Sequence, residues 1–175
     1  EDMRGWLGYV PQDAFLFSKS IKDNILFGKP DATEEELKAA IRLADFEKDL
    51  AQLPEGLETL VGEKGVALSG GQKQRISIAR ALIKDPEILL LDDSLSAVDA
   101  KTEKIIIGNI QNERAGKTTI IVTHRLSAVQ HANNIIVLEG GKVIESGTHQ
   151  SLLNKGGWYK EQFERQQLEE EMGEK

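Results

Sequence analysis

The sequence predicts an α/β fold in which a mostly parallel sheet is combined with a separate helical subdomain. Residues 87–91 and 118–123 are short runs of apolar or β-branched side chains, which are typical of strands buried in a parallel sheet. A helical pattern over residues 101–113 lies between them, and such alternation of strand and helix favours parallel pairing. Residues 20–85 carry mainly helical patterns, and the helical subdomain is assigned approximately to this range.

The chain is expected to begin with a strand, a loop and two helices. Residues 5–11 are rich in apolar side chains and end at a proline, which indicates a strand. Thr33 and Glu36 have the spacing of a capping box, in which two side chains close the start of a helix. This helix is predicted to continue to about Ala44. A second short helix is expected to end at the turn formed by residues 54–56.

The last third of the chain is predicted to contain a hairpin and short helices. Gly140 and Gly141 separate two β-rich runs, residues 134–138 and 142–146, and paired glycines are typical of a tight hairpin turn. Short helices are expected at residues 126–131, 149–154 and 158–170.

Composition excludes several classes of protein. The 175 residues carry a formal net charge of −7, which argues against a protein that neutralises nucleic-acid phosphates, so no nucleic-acid partner is expected. There is no cysteine, which excludes disulfides and cysteine zinc sites. No apolar run approaches the ~20 residues needed to cross a bilayer. The sequence starts without a methionine or a signal peptide, which indicates an excerpt from a longer polypeptide.

Residues 68–72 read Leu-Ser-Gly-Gly-Gln and open a helical pattern. A glycine-rich turn at a helix N-terminus exposes backbone N–H groups at the positive end of the helix dipole, where a phosphate can bind. A structural interpretation also exists, because Ser69 and Gln72 have capping-box spacing. Both interpretations can hold, since a capped helix start is also an anion site.

Two adjacent aspartates, Asp92 and Asp93, close the apolar strand. The end of such a strand lies at the rim of the sheet, where a carboxylate can hold Mg²⁺. Adjacent carboxylates repel each other, so they are rarely kept for packing alone. After the next strand comes His124, where a γ-phosphate could be sensed. His131 and His149 have no comparable setting and are assigned structural roles.

Six segments follow one another in a fixed order along the chain. They are Tyr9-Val10-Pro11-Gln12, residues 60–65, residues 68–72, residues 88–93, residues 96–99 and Thr123-His124-Arg125. Together they resemble the nucleotide-binding domain of an ABC transporter of the exporter type. The resemblance runs over essentially the whole chain. It implies a P-loop NTPase-like, mostly parallel sheet whose N-terminal strands are missing here, with a helical subdomain that carries the signature motif.

The resemblance implies a role for each matching residue. Gln12 resembles the Q-loop glutamine, which contacts Mg²⁺ and the attacking water and couples the site to the membrane domain. Asp92 matches the Walker B aspartate that supports Mg²⁺, and His124 matches the switch histidine. Asp93 stands at the position of the catalytic glutamate. The implied cofactors are ATP and Mg²⁺, and the implied activity is that of an ATPase.

Other matching residues are implied to act across a dimer of nucleotide-binding domains. Ser69, Gly70, Gly71 and Gln72 resemble the signature motif, which contacts the γ-phosphate of ATP held by the partner domain. Asp99 ends the segment that resembles the D-loop at the dimer interface. A second ABC nucleotide-binding domain is therefore the first implied partner.

The second implied partner is the transmembrane domain of the transporter. Residues 15–17 are expected to lie where its coupling helix docks, and residues 61–65 resemble the X-loop of exporters. The implied location is the cytoplasmic face of the cell membrane. The cargo is chosen by membrane helices that this sequence does not contain.

The sequence contains no phosphate-binding loop of the form Gly-x-x-x-x-Gly-Lys-Ser/Thr, the Walker A motif of this family. Gly116-Lys117-Thr118 has the right ending, but Gln111 stands where the first glycine is required. The backbone cradle and the lysine that hold nucleotide phosphates are therefore absent from the sequence. This chain alone is expected to bind ATP poorly and to be inactive.

Asp93 departs from the family pattern, because its side chain is shorter than that of glutamate by one C–C bond, about 1.5 Å. A base that positions water is sensitive to that distance. Such a replacement resembles the degenerate half of a heterodimer, in which one composite site hydrolyses ATP slowly or not at all. The partner domain is thus expected to belong to a non-identical subunit, with a homodimer of two impaired sites as the alternative.

Two other classes of protein stay open at the level of sequence. A chromosome-maintenance or DNA-repair ATPase of the SMC type also carries a signature motif and a Walker B strand, but this chain lacks coiled-coil heptads and is acidic. The other alternative is a non-hydrolysing binding module. It is disfavoured because loss of a central strand and helix from such a sheet should expose apolar surface.

Overall fold

The computed structural model describes residues 3–173, and the chain divides into two compact units between Val122 and Thr123. Over the described residues, the first unit contains a parallel sheet with helices, and the second contains a hairpin with helices. The α/β class predicted from the sequence is confirmed.

The first unit is built around a parallel sheet with the strand order β1-β2-β3. Its strands are β1 (Leu7–Val10), β2 (Ile88–Asp92) and β3 (Thr118–Val122). The central strand β2 pairs with both neighbours, so that Ile88 lies opposite Leu7 on one side and Thr118 on the other. The segments that connect the strands contain helices, as parallel pairing requires.

One face of this sheet is packed, and the other is open within the described residues. Val10 and Leu89 point to the packed face and are fully buried. On the opposite face Tyr9 and Ile120 remain about half exposed, and Leu90 is only partly buried. The apolar run of β2 is typical of a strand covered on both sides, but here only one face is covered by described residues.

Five α-helices accompany the sheet within the described part of the first unit. They are α1 (Ile21–Leu26), α2 (Glu34–Leu43), α3 (Glu47–Leu50), α4 (Gly70–Leu82) and α5 (Ala100–Glu113). The capping box predicted for α2 is present, because Glu36 N donates to the Thr33 hydroxyl at 3.2 Å and Thr33 N donates to the Glu36 carboxylate at 2.9 Å. The helices α1 to α4 fall within residues 20–85, and the limits of a helical subdomain there stay a prediction.

The core of the first unit lies around α4. This helix contacts α1, α2 and β1, and its residues Ile76 and Ile78 are fully buried. Burial of an isoleucine side chain contributes about 1.5–3 kcal/mol to stability. Packing on three sides therefore fixes the helix, and with it the turn at its N-terminus.

The second unit consists of an antiparallel hairpin and two helices over the described residues. They are β4 (Ile135–Glu139), β5 (Lys142–Gly147), α6 (His149–Lys155) and α7 (Trp158–Gly173). Gly140 and Gly141 have φ angles of 55° and 75°, as the predicted tight turn requires. Leu126–Val129 forms a 3₁₀ turn instead of the helix predicted for residues 126–131, because the backbone bonds around it span three residues rather than four.

Candidate functional site

The first candidate site is the turn that opens α4. Ser69 is its N-cap, and the Ser69 hydroxyl accepts a hydrogen bond from Gln72 N at 3.2 Å. Ser69 N donates in return to the Gln72 side-chain oxygen at 2.9 Å, so the capping box is present. The other N–H groups of a first helical turn have no acceptor within the helix and form the positive end of its dipole. The turn can therefore be capped and still bind an anion.

The two glycines of this turn allow another segment to approach it closely. A Cβ atom at Gly71 would lie 2.8 Å from the backbone oxygen of Ala97, and one at Gly70 would lie 3.2 Å from the Ala97 Cβ. Ala97 belongs to residues 96–99, the predicted D-loop between β2 and α5. The structure thus places the predicted D-loop against the predicted signature turn.

Gln74 links these two segments to a third. Ala97 N donates to Gln74 Oε1 at 2.9 Å, and Gln74 Nε2 donates to Ser96 Oγ at 3.0 Å. The same Nε2 donates to the backbone oxygen of Gln12 at 3.2 Å. Gln74 is only 4% exposed. Gln74 lies outside the six motifs and was not predicted from the sequence. The signal available there is a polar side chain on the face of α4 that is otherwise buried.

The two predicted carboxylates lie at the carboxyl end of β2. Asp92 is its last residue, Asp93 follows, and both are partly buried. The Tyr9 hydroxyl donates to Asp92 Oδ2 at 3.1 Å, and this hydrogen bond to a carboxylate raises the pKa of Tyr9. Asp93 N donates to the backbone oxygen of Val122 at 2.8 Å, which ties the position after β2 to the end of β3.

Asp93 has a left-handed backbone conformation with a φ of 49°. Non-glycine residues seldom adopt this region, and aspartate and asparagine do so several times more often than most others. Residues held in sparsely populated conformations cluster at functional sites. The aspartate that replaces the expected glutamate therefore suits the local backbone.

The oxygen atoms at this edge of the sheet fit a magnesium ion that also binds phosphates. Such an ion is usually held by one or two carboxylates together with phosphate oxygens and water. Asp92 offers one carboxylate at the correct end of the strand. Within residues 3–173, no group of three or more His, Cys, Asp or Glu side chains could hold a metal ion by itself. The donor set therefore suits Mg²⁺ brought with a nucleotide rather than a site made by the protein alone.

A buried ion pair between Asp49 and Arg75 is bonded to Gln72 of the signature turn. Arg75 donates to both carboxylate oxygens of Asp49, at 2.5 Å and 2.9 Å, and Gln72 Nε2 donates to Asp49 Oδ1 at 3.1 Å. Burial alone would raise the pKa of Asp49, but the hydrogen bonds from Arg75 and Gln72 outweigh it and hold the pKa below its ordinary value. Both ends of the Gln72 amide are thus engaged within the first unit.

The two other predicted site residues of the first unit are Asp99 and Gln12. Asp99 caps α5, because its two oxygens accept from Thr102 N at 2.9 Å and from the Thr102 hydroxyl at 2.8 Å. These bonds, the one from the backbone first, lower the pKa of Asp99. Gln12 is exposed in the loop after β1.

His124 lies in the second unit, whereas the other predicted site residues lie in the first. The backbone oxygen of His124 accepts from Gln166 Nε2 at 2.8 Å, and Leu126 N donates to Gln166 Oε1 at 2.9 Å. A single glutamine of α7 therefore holds the backbone on both sides of Arg125. The role of His124 as a switch histidine stays a prediction.

A surface groove lies beside the loop that follows β1. Its volume is about 260 Å³, and the residues that line it include Tyr9, Phe15, Phe27, Arg80 and Lys84. Phe15 and Phe27 are 65% and 64% exposed. Arg80 donates to the backbone oxygen of Phe15 at 2.8 Å, which fixes the segment predicted to dock a membrane domain.

Comparison with known proteins decides the family. The sequence profile described as "ABC transporter" matches residues 1–96. The chain belongs to the ABC transporter family. The resemblance inferred from the six motifs is confirmed, and members of this family are in general ATPases.

Several relatives contain a similar sequence within a much longer chain. The chain is 69% identical over 166 residues to a probable multidrug resistance ABC transporter ATP-binding/permease protein, YheI, of Bacillus subtilis (strain 168), covering 95% of this chain and 28% of that protein. It is 48% identical over 169 residues to the multidrug resistance-like ATP-binding protein MdlA of Escherichia coli (strain K12), covering 97% and 29%. It thus spans less than a third of the length of either relative.

A solved structure supports the same assignment. A bacterial Atm1-family ABC exporter with ATP bound superimposes with a TM-score of 0.85 at 43% sequence identity, over 93% of this chain and 28% of that chain. These comparisons favour the exporter prediction over the SMC-type alternative. The Bacillus subtilis relative is described as an ATP-binding/permease protein. In the described part of this chain, no helix is long and apolar enough to cross a membrane.

Proposed function

We propose that this chain is the nucleotide-binding portion of an ABC exporter subunit, in which ATP binding and hydrolysis at a dimer of such domains drive export of a substrate. The observation that carries the proposal is the set of hydrogen bonds by which Gln74 joins Gln12 and the D-loop to α4. This helix, which begins with the signature turn, is called the signature helix below. The D-loop in turn begins three residues after Asp93. Catalysis of phosphoryl transfer depends on such positioning and on electrostatic stabilisation.

Residues of the first unit hold the metal and the attacking water. Asp92 would support Mg²⁺, and the ion would supply positive charge to the β- and γ-phosphates. Gln12 would help to hold the metal and orient the attacking water, and Asp93 would accept the proton from that water. His124, in the second unit, senses the γ-phosphate. The location of both aspartates after a buried strand and the exposed position of Gln12 support these roles.

The signature turn serves ATP bound by the partner domain. The Ser69 hydroxyl and the N–H groups of Gly70 and Gly71 bind the γ-phosphate, because the positive end of α4 attracts an anion. Gln72 holds the turn in place through its bonds to Ser69 and Asp49. Asp99 belongs to the same dimer interface.

The partner domain belongs to a non-identical subunit, in which the catalytic glutamate is present. Asp93 supports this part of the proposal, because a base that is one bond too short impairs its own site while the intact signature turn still serves the other. The transmembrane domain is the second partner. Its coupling helix docks in the groove beside Phe15 and Phe27, at the cytoplasmic face of the membrane.

The proposal is tested by two substitutions that separate the anion site from the helix cap. Ser69→Asp and Ser69→Asn both supply a good N-cap, so α4 stays intact in both. Aspartate adds a negative charge about one hydrogen bond away from the bound phosphate. We expect Ser69→Asp to lower ATP turnover of the intact transporter in lipid vesicles by at least about tenfold, and Ser69→Asn to stay within about threefold of the wild type.

Equal turnover of the aspartate and asparagine variants would mean that the turn does not face a phosphate. The thermal unfolding temperatures of the two variants serve as the control, because they should agree if both caps form. A complete absence of ATP turnover in the wild-type transporter, with nucleotide and Mg²⁺ in excess, would also contradict the proposal.

A further inference from the structure

We propose that Gln74 is a positioning residue that sets the D-loop and the loop after β1 on the signature helix, a role that rests on the proposed function. Gln74 contacts neither phosphate nor metal in this proposal. It acts through the backbone of Ala97, the hydroxyl of Ser96 and the backbone of Gln12. These three groups belong to two loops that are more than 80 residues apart in the sequence.

The Gln74 side chain has enough donors and acceptors to make all three hydrogen bonds at the same time. Its Nε2 carries two hydrogens, so the bonds to Ser96 Oγ and to Gln12 O do not compete, while Oε1 accepts from Ala97 N. Because Gln74 is only 4% exposed, its amide has little access to water and is satisfied by these partners instead. Loss of the amide would remove the partner that Gln74 offers to the Ala97 N–H and to the Gln12 carbonyl, two contacts that a purely packing role would not require.

The D-loop is held on two sides by the same helix. Gly71 allows the Ala97 backbone oxygen to approach α4, and Gln74, one turn further along, binds the Ala97 backbone nitrogen. The peptide units on both sides of one residue are therefore fixed relative to the signature turn. Asp99 is the last residue of the D-loop, and Asp93 lies three residues before its start, so the positions of both depend on that attachment.

The loop after β1 is attached to α4 at two points. Gln74 binds the backbone oxygen of Gln12, and Arg80 binds the backbone oxygen of Phe15. The Arg80 guanidinium also lies 5.6 Å from the ring centroid of Phe17. A displacement of the loop beside the surface groove would therefore move α4 through these bonds, and Gln74 would transmit the movement to the D-loop.

The decisive experiment replaces the amide without changing the volume of the side chain. Gln74→Met keeps the length and removes all three hydrogen bonds. We expect kcat for ATP hydrolysis by the intact transporter to fall by about tenfold, while KM for ATP changes less than about twofold, because the D-loop at the dimer interface loses its position and nucleotide contacts are kept. Hydrogen exchange of the D-loop amides should accelerate by about fivefold, as expected for loss of one hydrogen bond.

Gln74→Glu tests the two loops separately. Its carboxylate can still accept from Ala97 N and from the Ser96 hydroxyl, but it repels the backbone oxygen of Gln12. We expect D-loop exchange to return to the wild-type rate in this variant, while exchange in residues 12–17 stays accelerated. Accelerated D-loop exchange in Gln74→Glu equal to that in Gln74→Met would contradict the assigned bonds.

Asn109→Leu is the matched control. Asn109 Nδ2 also donates to backbone oxygens of a distant helix, those of Arg42 and Leu43 at 3.4 Å and 3.2 Å, but it lies outside the candidate site. This variant should lose stability without a fall in kcat. Equal falls in kcat for Gln74→Met and Asn109→Leu would reduce Gln74 to a structural residue. Absence of turnover in the wild type contradicts the proposed function, whereas unaltered D-loop exchange in Gln74→Met contradicts the role of Gln74 whatever the turnover.

Discussion

Asp93 combines two properties with opposite consequences for the protein. Its side chain is one bond shorter than the glutamate of the family, which in the proposed function weakens it as a base that positions water. Its φ of 49°, however, is a conformation that aspartate adopts more readily than glutamate. The residue that we propose impairs the chemistry is therefore the one that the backbone tolerates better.

Restoring glutamate at this position should separate the two effects. We expect Asp93→Glu to raise single-site ATP turnover of the intact heterodimer several-fold, because the carboxylate reaches the water. The same change should lower stability by about 1 kcal/mol, because glutamate tolerates the left-handed conformation less well. Turnover and thermal unfolding of the same preparation measure both quantities.

Asp93→Asn is the matched control for this substitution. Asparagine suits the left-handed backbone as aspartate does but cannot act as a base, so stability should be kept and turnover at that site should fall. A single-site rate that stays unchanged in Asp93→Glu would contradict the interpretation of this site as degenerate.

At the scale of elements, the contact between α4 and the D-loop depends on one missing side chain. Glycine inside a helix normally destabilises it by about 0.5–1 kcal/mol relative to alanine. At Gly71 that cost is outweighed, since a Cβ atom would lie 2.8 Å from the Ala97 backbone oxygen. Gly108 in α5 offers the comparison, because no atom lies within 4 Å of its ideal Cβ position.

Alanine substitutions at these two glycines should therefore have different effects on the protein. We expect Gly108→Ala to raise stability by up to about 1 kcal/mol, with turnover unchanged. Gly71→Ala should displace the D-loop and lower ATP turnover by about tenfold or more, since shifts of this kind are costly in positioned catalysis. Thermal unfolding and turnover of the intact transporter are the measurements, and a Gly71→Ala variant with wild-type turnover would show that the close approach is not needed.

Elements with a strong local pattern were predictable from the sequence. The capping box at Thr33 and Glu36 and the glycine pair at 140 and 141 specify their turns through contacts within a few residues, and both are present. The six-residue helix α1 (Ile21–Leu26) was not predicted individually, because a run of that length shows too little periodicity.

The candidate site was predictable only in part, for the same physical reason. The positions of Ser69, Asp92 and Asp93 at a helix start and a strand end follow from local pattern. The bond from Gln74 to Gln12 joins residues 62 positions apart, and no local signal reports which loop a buried amide will meet. The strand order β1-β2-β3 is likewise a result of tertiary packing.

At the scale of the whole molecule, the sequence lacks the loop that holds nucleotide phosphates. We expect the isolated 175-residue chain to bind Mg²⁺-ATP with a Kd weaker than about 1 mM, because Asp92 and the signature turn alone offer few of the contacts that phosphates need. Isothermal titration calorimetry measures this affinity. The intact transporter is the control, and a micromolar Kd for the isolated chain would show that the described residues suffice.

The parallel sheet also has a consequence for how the protein is made. Leu7 of β1 pairs with Ile88 of β2, about 80 residues later in the chain. A ribosome that adds about 5–20 residues per second needs about 4–16 s to synthesise that interval. During this time β1 lacks the strand β2 with which it pairs, and late closure of such a long loop is slow. We therefore expect the nascent chain to be more prone to aggregation before residue 88 emerges than after it.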